Sequence, residues 1–251
     1  MLLLRSVAYL VFLFVTVAPW GTLSCLCFFL PMPQRYLLIA YWTRIAVWGA
    51  KVFCGIDYKV LGLENVPDRK THGGAIFLAK HQSSYETLLF RSLFTYMCYV
   101  YKRELHYIPF FGWGIFLCNM IPINRAKGKA ALDQVTNVGR AKLAGGWNMI
   151  MFPEGTRVDP GQKRRYKLGG TYLSVATRVP VVPIAHNAGD FWPRGRWTKT
   201  PGTVTVSIGP PIHPDTMTAE QQMAKVEEWI EGEMRRLFPH QYTLAEQPQT
   251  D

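Results

Sequence analysis

The sequence predicts an α/β fold, a mixed β-sheet flanked by helices and preceded by an N-terminal membrane-embedded two-helix segment. Three observations carry this expectation. From Gly55 onward, short apolar, β-branched runs alternate with helical stretches, the pattern of strands covered by helices. Before that point the chain is overwhelmingly apolar, and Val7 to Leu30 contains no charged residue. The chain has 251 residues, 49% of them hydrophobic, enough for one domain with its own core plus an N-terminal appendage. The organisation expected is membrane-associated helices over residues 1–54, an α/β domain over 55–240 and a polar, frayed tail over 241–251.

Taken in order, Val7–Leu30 as a helix would span ~36 Å, enough to cross a hydrocarbon core of ~30 Å. Arg5 precedes it and Pro31-Met32-Pro33 ends it, because two prolines cannot continue a helical ladder. A cleaved signal peptide is the rival reading, but the run is long for one and offers no clean small-x-small cleavage site. Tyr36–Phe53 is a second apolar stretch flanked and interrupted by Arg35, Arg44 and Lys51, with Tyr36, Tyr41, Trp42 and Trp48 between them. Cations and aromatics mixed with aliphatics suit a helix in the headgroup zone. The first segment either spans the bilayer or dips in and returns, and the preferred arrangement is an embedded hairpin.

Strands are expected over Tyr58–Leu61, Ala75–Ala79, Met97–Tyr101, Met149–Phe152, Val181–Ala185 and Val204–Ile208. Helices are expected over Thr87–Phe94 (starting near Ser83), Lys129–Ala144 with Gly145-Gly146 as its stop, Leu168–Thr177, and Thr218–Leu237 with Thr218 as cap and Glu220 in the first turn. No internal repeat or low-complexity block is present.

The formal charge of +11 and 8 tryptophans suit an anionic surface. Nucleic acid is disfavoured, because the basic residues are scattered and the first segment is too apolar for a soluble binder. The cysteines, Cys25, Cys27, Cys54, Cys98 and Cys118, are odd in number and have no histidine-paired metal spacing, so they read as buried thiols rather than a zinc site.

Chemistry concentrates in two strings. His81-Gln82-Ser83-Ser84-Tyr85-Glu86 follows a buried strand, and ligands gather outside the carboxyl ends of strands in open α/β sheets. His81 is a candidate general base and Glu86, one helical turn on, a carboxylate to orient it. Ser83-x-x-Glu86 is equally a capping box, in which Glu86 only bonds the Ser83 amide. Downstream, Phe152-Pro153-Glu154-Gly155-Thr156-Arg157 leaves another strand: Gly155 permits a turn closed to other residues, Arg157 can grip a phosphate bidentately, and Glu154 either orients that arginine or bonds a substrate hydroxyl. The bland alternative is a strand-ending turn with a solvated arginine. Ile121-Pro122-Ile123-Asn124-Arg125 offers a second phosphate candidate or a surface arginine. Val179–Ile184 is expected along a pocket wall, and Lys163-Arg164-Arg165 with Lys167 forms a basic cluster, either solvated and lipid-facing or directed at an anionic substrate or acyl carrier.

These four strings in this order resemble the glycerolipid acyltransferase family, in particular bacterial 1-acylglycerol-3-phosphate acyltransferases, over roughly Gly62 to Pro211. Phe152–Arg157 matches the family's third motif fully; Ile121–Arg125 resembles the second and Val181–Ile184 the fourth. The first departs from the usual pattern in carrying Glu86 where aspartate is common, which keeps the charge and adds one methylene. The resemblance implies transfer of a fatty acyl group from acyl-CoA or acyl-carrier protein to lysophosphatidic acid, making phosphatidic acid for phospholipid biosynthesis. It implies His81 as base, Glu86 as its orienter, and Arg125, Glu154, Gly155, Thr156 and Arg157 as the substrate-binding set. It further implies no metal or organic cofactor, contact with anionic membrane lipid, and a place at the bacterial inner membrane with the catalytic domain on the cytoplasmic face. Rival readings are an acyltransferase for another lysophospholipid or lyso-aminolipid, or a hydrolase in which water replaces the alcohol. A serine hydrolase is disfavoured, because no Gly-x-Ser-x-Gly elbow occurs.

Overall fold

A computed structural model describes residues 1–69, 73–124, 126 and 128–245. Seven strands form one sheet: β1 (Ile56–Leu61), β2 (Ile76–Ala79), β3 (Met97–Lys102), β4 (Ile121–Ile123), β5 (Asn148–Met151), β6 (Val181–His186) and β7 (Gly202–Ile208), in the order β1-β7-β6-β2-β5-β3-β4. Every pairing is parallel except β6 with β7. The mixed sheet matches the sequence expectation, and six strands lie where expected to within two residues. The seventh, β4, has only three residues with Pro122 at its centre. It pairs on one side alone, and a missing N–H is tolerated on such an edge strand.

Strand β2 shows why the sheet positions a site. All four of its residues are buried, as a parallel strand covered on both faces requires. Phe77 and Ala79 enter one core with Tyr85, Leu89 and Ile150, whereas Ile76 and Leu78 enter the other with Met149, Val226 and Ile230. Leu78 is in register with Met151 of β5, so the chain leaves both strands at the same sheet edge. One exit carries Lys80-His81, the other Phe152-Pro153.

Among the described residues the α-helices are α1 (Leu2–Leu26), α2 (Met32–Gly49), α3 (Tyr85–Leu93), α4 (Phe111–Leu117), α5 (Lys129–Ala144), α6 (Gly169–Thr177), α7 (Ala188–Phe191), α8 (Ala219–Leu237) and α9 (Pro239–Ala245). Helix α8 opens with the reciprocal Thr218–Gln221 capping box and turns Met223, Val226, Ile230 and Met234 into the core at helical spacing. Helix α9 corrects one expectation. Over residues 241–245 the tail is helical rather than frayed: Gln241 is buried and its amide donates to Asp190 Oδ1 at 2.9 Å, which holds the helix down, while residues 246–251 lie outside the described residues. Polar residues concealed this docking, because they bond inward rather than pack.

Helices α1 and α2 run antiparallel, joined by Tyr9 Oη donating to the Ala46 carbonyl (2.9 Å), Trp42 Nε1 to Thr16 Oγ1 (3.2 Å) and Trp20 Nε1 to the Ile39 carbonyl (3.3 Å). Pro33 falls in the first turn of α2, where its missing N–H is harmless. Helix α1 and the helical run Met32–Cys54, α2 with its π-helical continuation, are each long and apolar enough to cross a membrane. Phe14, Val15, Phe28, Phe29 and Trp48 are exposed, and Arg44 also points outward from α2. The α/β domain holds α1 through the Lys199 amide, which donates to Ser6 Oγ at 2.8 Å.

Candidate active site

His81 leaves the end of β2 and Glu86 lies in the first turn of α3, so a short loop brings them face to face. His81 Nδ1 is 2.8 Å from Glu86 Oε1. The same carboxylate oxygen accepts the backbone amides of Gln82 (3.1 Å) and Ser83 (2.9 Å). The capping and orienting roles, alternatives in the sequence, are therefore both filled by one atom. Glu86 is fully buried, which makes its charge dependent on these donors. A carboxylate opposite Nδ1 fixes the proton there and leaves Nε2 with its lone pair. Phe152 stacks on the imidazole at 3.9 Å between centroids and 16° between planes, fixing the ring in the remaining direction.

The loop after β5 is laid against the His81 loop. The Val158 amide donates to the His81 carbonyl at 2.7 Å, and Arg157 Nη1 donates to Ser84 Oγ at 2.8 Å. Gly155 has φ +73°, a left-handed conformation open to glycine at little cost. A Cβ there would also lie 2.7 Å from Lys167 Nζ, the mobile end of a side chain, so the backbone angle is the stronger constraint.

Glu154 does not face Arg157. It is fully buried, and its Oε1 lies 3.2 Å from Lys80 Nζ, which also donates to Glu231 Oε1 on α8 at 3.0 Å. Tyr166 Oη donates to the same Glu231 oxygen at 2.9 Å and Tyr242 Oη to the other at 3.3 Å. Burial holds the Glu154 carboxyl above its ordinary value despite Lys80. Burial pushes Glu231 upward too, but Lys80 and the two tyrosines outweigh it and hold it below the ordinary value. Glu154 is thus a buried partner of Lys80, with no surface for a substrate hydroxyl.

Two cavities meet at His81 and Phe152, which line both. The first, about 370 Å³, lies between the N-terminal helices and the α/β domain: Val17 and Trp20 of α1 and Ile39 and Trp42 of α2 share it with Thr156 and Arg157. The second, about 750 Å³, lies toward α5 and α6 and contains Gly155, Arg164, Arg165 and Lys167. Val181–Ile184 lines neither; it is buried between β2 and β7 as core. Arg125 lies outside the described residues.

The sequence reading passed over three charged residues that the fold places here. Lys102, at the carboxyl end of β3, lines the first cavity. Arg91 lines it as well, its guanidinium buried and stacked 3.6 Å over the Tyr36 ring. Glu231 braces Lys80 from a helix far along the chain. A lysine directly after four apolar strand residues was the local signal for a buried ion pair at Lys80, but its partner was not legible locally.

The acyltransferase family model matches residues 57–187. A curated 1-acyl-sn-glycerol-3-phosphate acyltransferase of Pseudomonas aeruginosa is 39% identical over 250 residues, covering 96% of this chain and 95% of its own. The human 1-acyl-sn-glycerol-3-phosphate acyltransferase beta is 27% identical over 76% of this chain and 68% of its own. Among solved structures, the 1-acyl-sn-glycerophosphate (LPA) acyltransferase PlsC of Thermotoga maritima superposes with TM-score 0.78 at 27% identity, covering 94% of this chain and 95% of that one. A buried carboxylate–imidazole pair at the sheet edge, inside the matched region and in a chain aligned almost end to end with its bacterial relative, identifies this chain as a member of the acyltransferase family.

Proposed function

We propose that the chain acylates the sn-2 hydroxyl of lysophosphatidic acid with a fatty acyl group from acyl-CoA or acyl-carrier protein, making phosphatidic acid. One observation carries this reading: side chains of both apolar N-terminal helices share a cavity with His81, whose ring is held from behind by Glu86, and with Arg157. An acceptor with an apolar chain, a free hydroxyl and a phosphate fits those three features together.

His81 Nε2 takes the acceptor's hydroxyl proton as its oxygen bonds to the thioester carbonyl carbon. Glu86 stabilises the imidazolium that forms. The tetrahedral centre then collapses, the carbon–sulfur bond breaks, and the leaving thiolate takes the proton from His81. Ester and thiol are the products, and no electrons are exchanged with a third reactant. Arg157 pairs with the acceptor phosphate through two parallel hydrogen bonds, beside Thr156, with Gly155 shaping the turn that presents them and Arg125 as a further cation. The exposed apolar faces of α1 and α2, continued by Tyr107, Trp113 and Phe116, bind the membrane and give the lipid acceptor direct access. The +11 charge supports contact with anionic lipid, and the arrangement proposed is the domain at the cytoplasmic face of the bacterial inner membrane.

The test is turnover by detergent-purified protein supplied with lysophosphatidic acid and either donor. Wild type forms phosphatidic acid. His81→Ala loses about 10²–10⁴ in rate while keeping its thermal transition. A variant that retains full activity removes His81 from the mechanism. A panel of lysophospholipids and a lyso-aminolipid separates the acceptor readings, because dependence on Arg157 is confined to phosphate-bearing acceptors.

A further inference from the structure

A two-substrate transfer at one base needs two approaches to that base, and the chain has two cavities sharing the His81–Phe152 wall. The first is bordered by the N-terminal helices and suits the lipid acceptor. The second has no residue from the first 54 among its lining and is edged by cations instead. We propose that this second cavity receives the pantetheine arm of the acyl donor, with Arg164, Arg165 and Lys167 holding the donor's phosphate groups. This rests on the acyltransferase function proposed above and adds to it the location of the donor site.

Residues 163–167 form an irregular segment pinned at defined points. Tyr166 is 4% exposed and bonds Glu231, and the Lys167 amide donates to the Pro153 carbonyl at 2.8 Å. With Tyr166 fixed inward, its neighbours Arg165 and Lys167 stay exposed beside the cavity, and so does Arg164. Lys163 is engaged, its ammonium 3.0 Å from Glu227. Among the described residues no carboxylate pairs with Arg164, Arg165 or Lys167, whereas Lys51, Lys80 and Arg236 all have one. Three unpaired cations on a buried anchor form a site for phosphate oxygens, and Lys167 Nζ sits over Gly155, within the motif that ends in Arg157. A coenzyme A thioester carries a diphosphate and a further phosphate; a carrier-protein thioester carries one phosphodiester on the same arm. The segment's charge fits the feature they share.

Steady-state kinetics on wild type and on Arg164→Gln/Arg165→Gln/Lys167→Gln test this, with the thermal transition of both measured first. Three donors are used: acyl-CoA, acyl-carrier protein and acyl-pantetheine, which lacks phosphate. The expected result is a rise of about tenfold or more in the KM for acyl-CoA for each charge-assisted hydrogen bond removed. The KM for lysophosphatidic acid changes less than twofold, and acyl-pantetheine is used equally by both proteins. A smaller rise with acyl-carrier protein marks the single phosphodiester as the shared element; a larger one places the carrier's acidic surface on the same cations. An unchanged acyl-CoA KM, a rise in the lysophosphatidic acid KM instead, or an equal loss with acyl-pantetheine overturns the proposal. Calorimetric binding of unacylated coenzyme A to both proteins separates the two levels. If wild type transfers no acyl group yet binds coenzyme A through these cations, the proposed function fails and this site stands. If wild type transfers acyl groups and the variant binds coenzyme A normally, this site fails alone.

Discussion

Glu86→Gln discriminates sharply between ways in which the carboxylate could serve His81. In the folded chain Glu86 Oε1 faces His81 Nδ1 at 2.8 Å while accepting the Gln82 and Ser83 amides at 3.1 and 2.9 Å. The two backbone donors require an acceptor, so a glutamine presents its carbonyl oxygen there and directs its NH2 away from the ring. His81 then keeps its proton on Nδ1 and its base on Nε2, and only the negative charge is lost. A hydrogen bond to a charged group contributes ~1.5–3 kcal/mol against ~0.5–1.5 for a neutral one; the difference, about 1–2 kcal/mol, is a factor of about 5–30 in kcat. If the amide flipped, the wrong tautomer would follow, with a loss near 10⁴, as when the triad aspartate of serine proteases is replaced by asparagine. Turnover at saturating lysophosphatidic acid and donor, with the thermal transition as a folding control, reads the difference. Unchanged kcat would show that the charge does nothing for the imidazolium. A 10⁴-fold loss in a folded variant would show that the two amides do not set the carboxamide's orientation.

Three other perturbations follow from the same geometry. Arg157→Lys gives up the planar fork for a point charge, so the KM for lysophosphatidic acid rises about tenfold with kcat nearly unchanged, measured with acceptor varied at fixed donor. Lys80→Met leaves Glu154 and Glu231 without their shared cation; Lys80 and Glu154 are buried, so unfolding in denaturant should show a loss of about 3–5 kcal/mol. Glu231, held below its ordinary 4.5, gives stability that is fully present above that pH and lost as pH falls through its lowered folded value. Glu154 is held above 4.5 and has the opposite sign, its contribution being present below 4.5 and lost as pH rises through the folded value. Acid unfolding of Glu231→Gln followed by circular dichroism should therefore have a shallower limb below 4.5 than wild type, and an unaltered limb would remove Glu231 as its source.

What could be read from the sequence was local. Ala75–Ala79 reads as a strand because five apolar residues stand in a row, and α8 because Thr218 as cap and Glu220 in the first turn agree with one another. The His81–Glu86 pairing was accessible because strand end, loop and helix start are consecutive. Strand β4 was not: three residues around Pro122 have no periodicity, and only β3 beside them makes a strand. Helix α4, with Gly112 and Gly114 among aromatics, has little intrinsic helical preference and follows from packing against the N-terminal helices. The direction of Glu154 was hidden for a related reason. Its position in the turn is local, but its direction is set by Lys80 across the sheet edge and by the attraction of Glu231 for the same ammonium.

The same long-range bracing bears on His81 itself. Lys80, immediately before it, is held by Glu231 of α8; Gln82, immediately after it, donates through Nε2 to Gln241 Oε1 of α9 at 3.0 Å and accepts the Gly189 amide through Oε1 at 3.3 Å. The Lys80 carbonyl meets His186 Nε2 of β6 at 2.8 Å, and burial keeps that second histidine below its ordinary pKa, so it serves as a neutral donor to the carbonyl. Both flanks of the proposed base are therefore tied to elements from the last third of the chain. The matched family region stops at 187, before either C-terminal helix begins. A general base must be held within a fraction of an ångström to act, and a five-residue loop between strand and helix has too few contacts of its own to hold it. In this chain α8 and α9 supply the missing restraint, which accounts for buried polar side chains on helices that touch neither cavity.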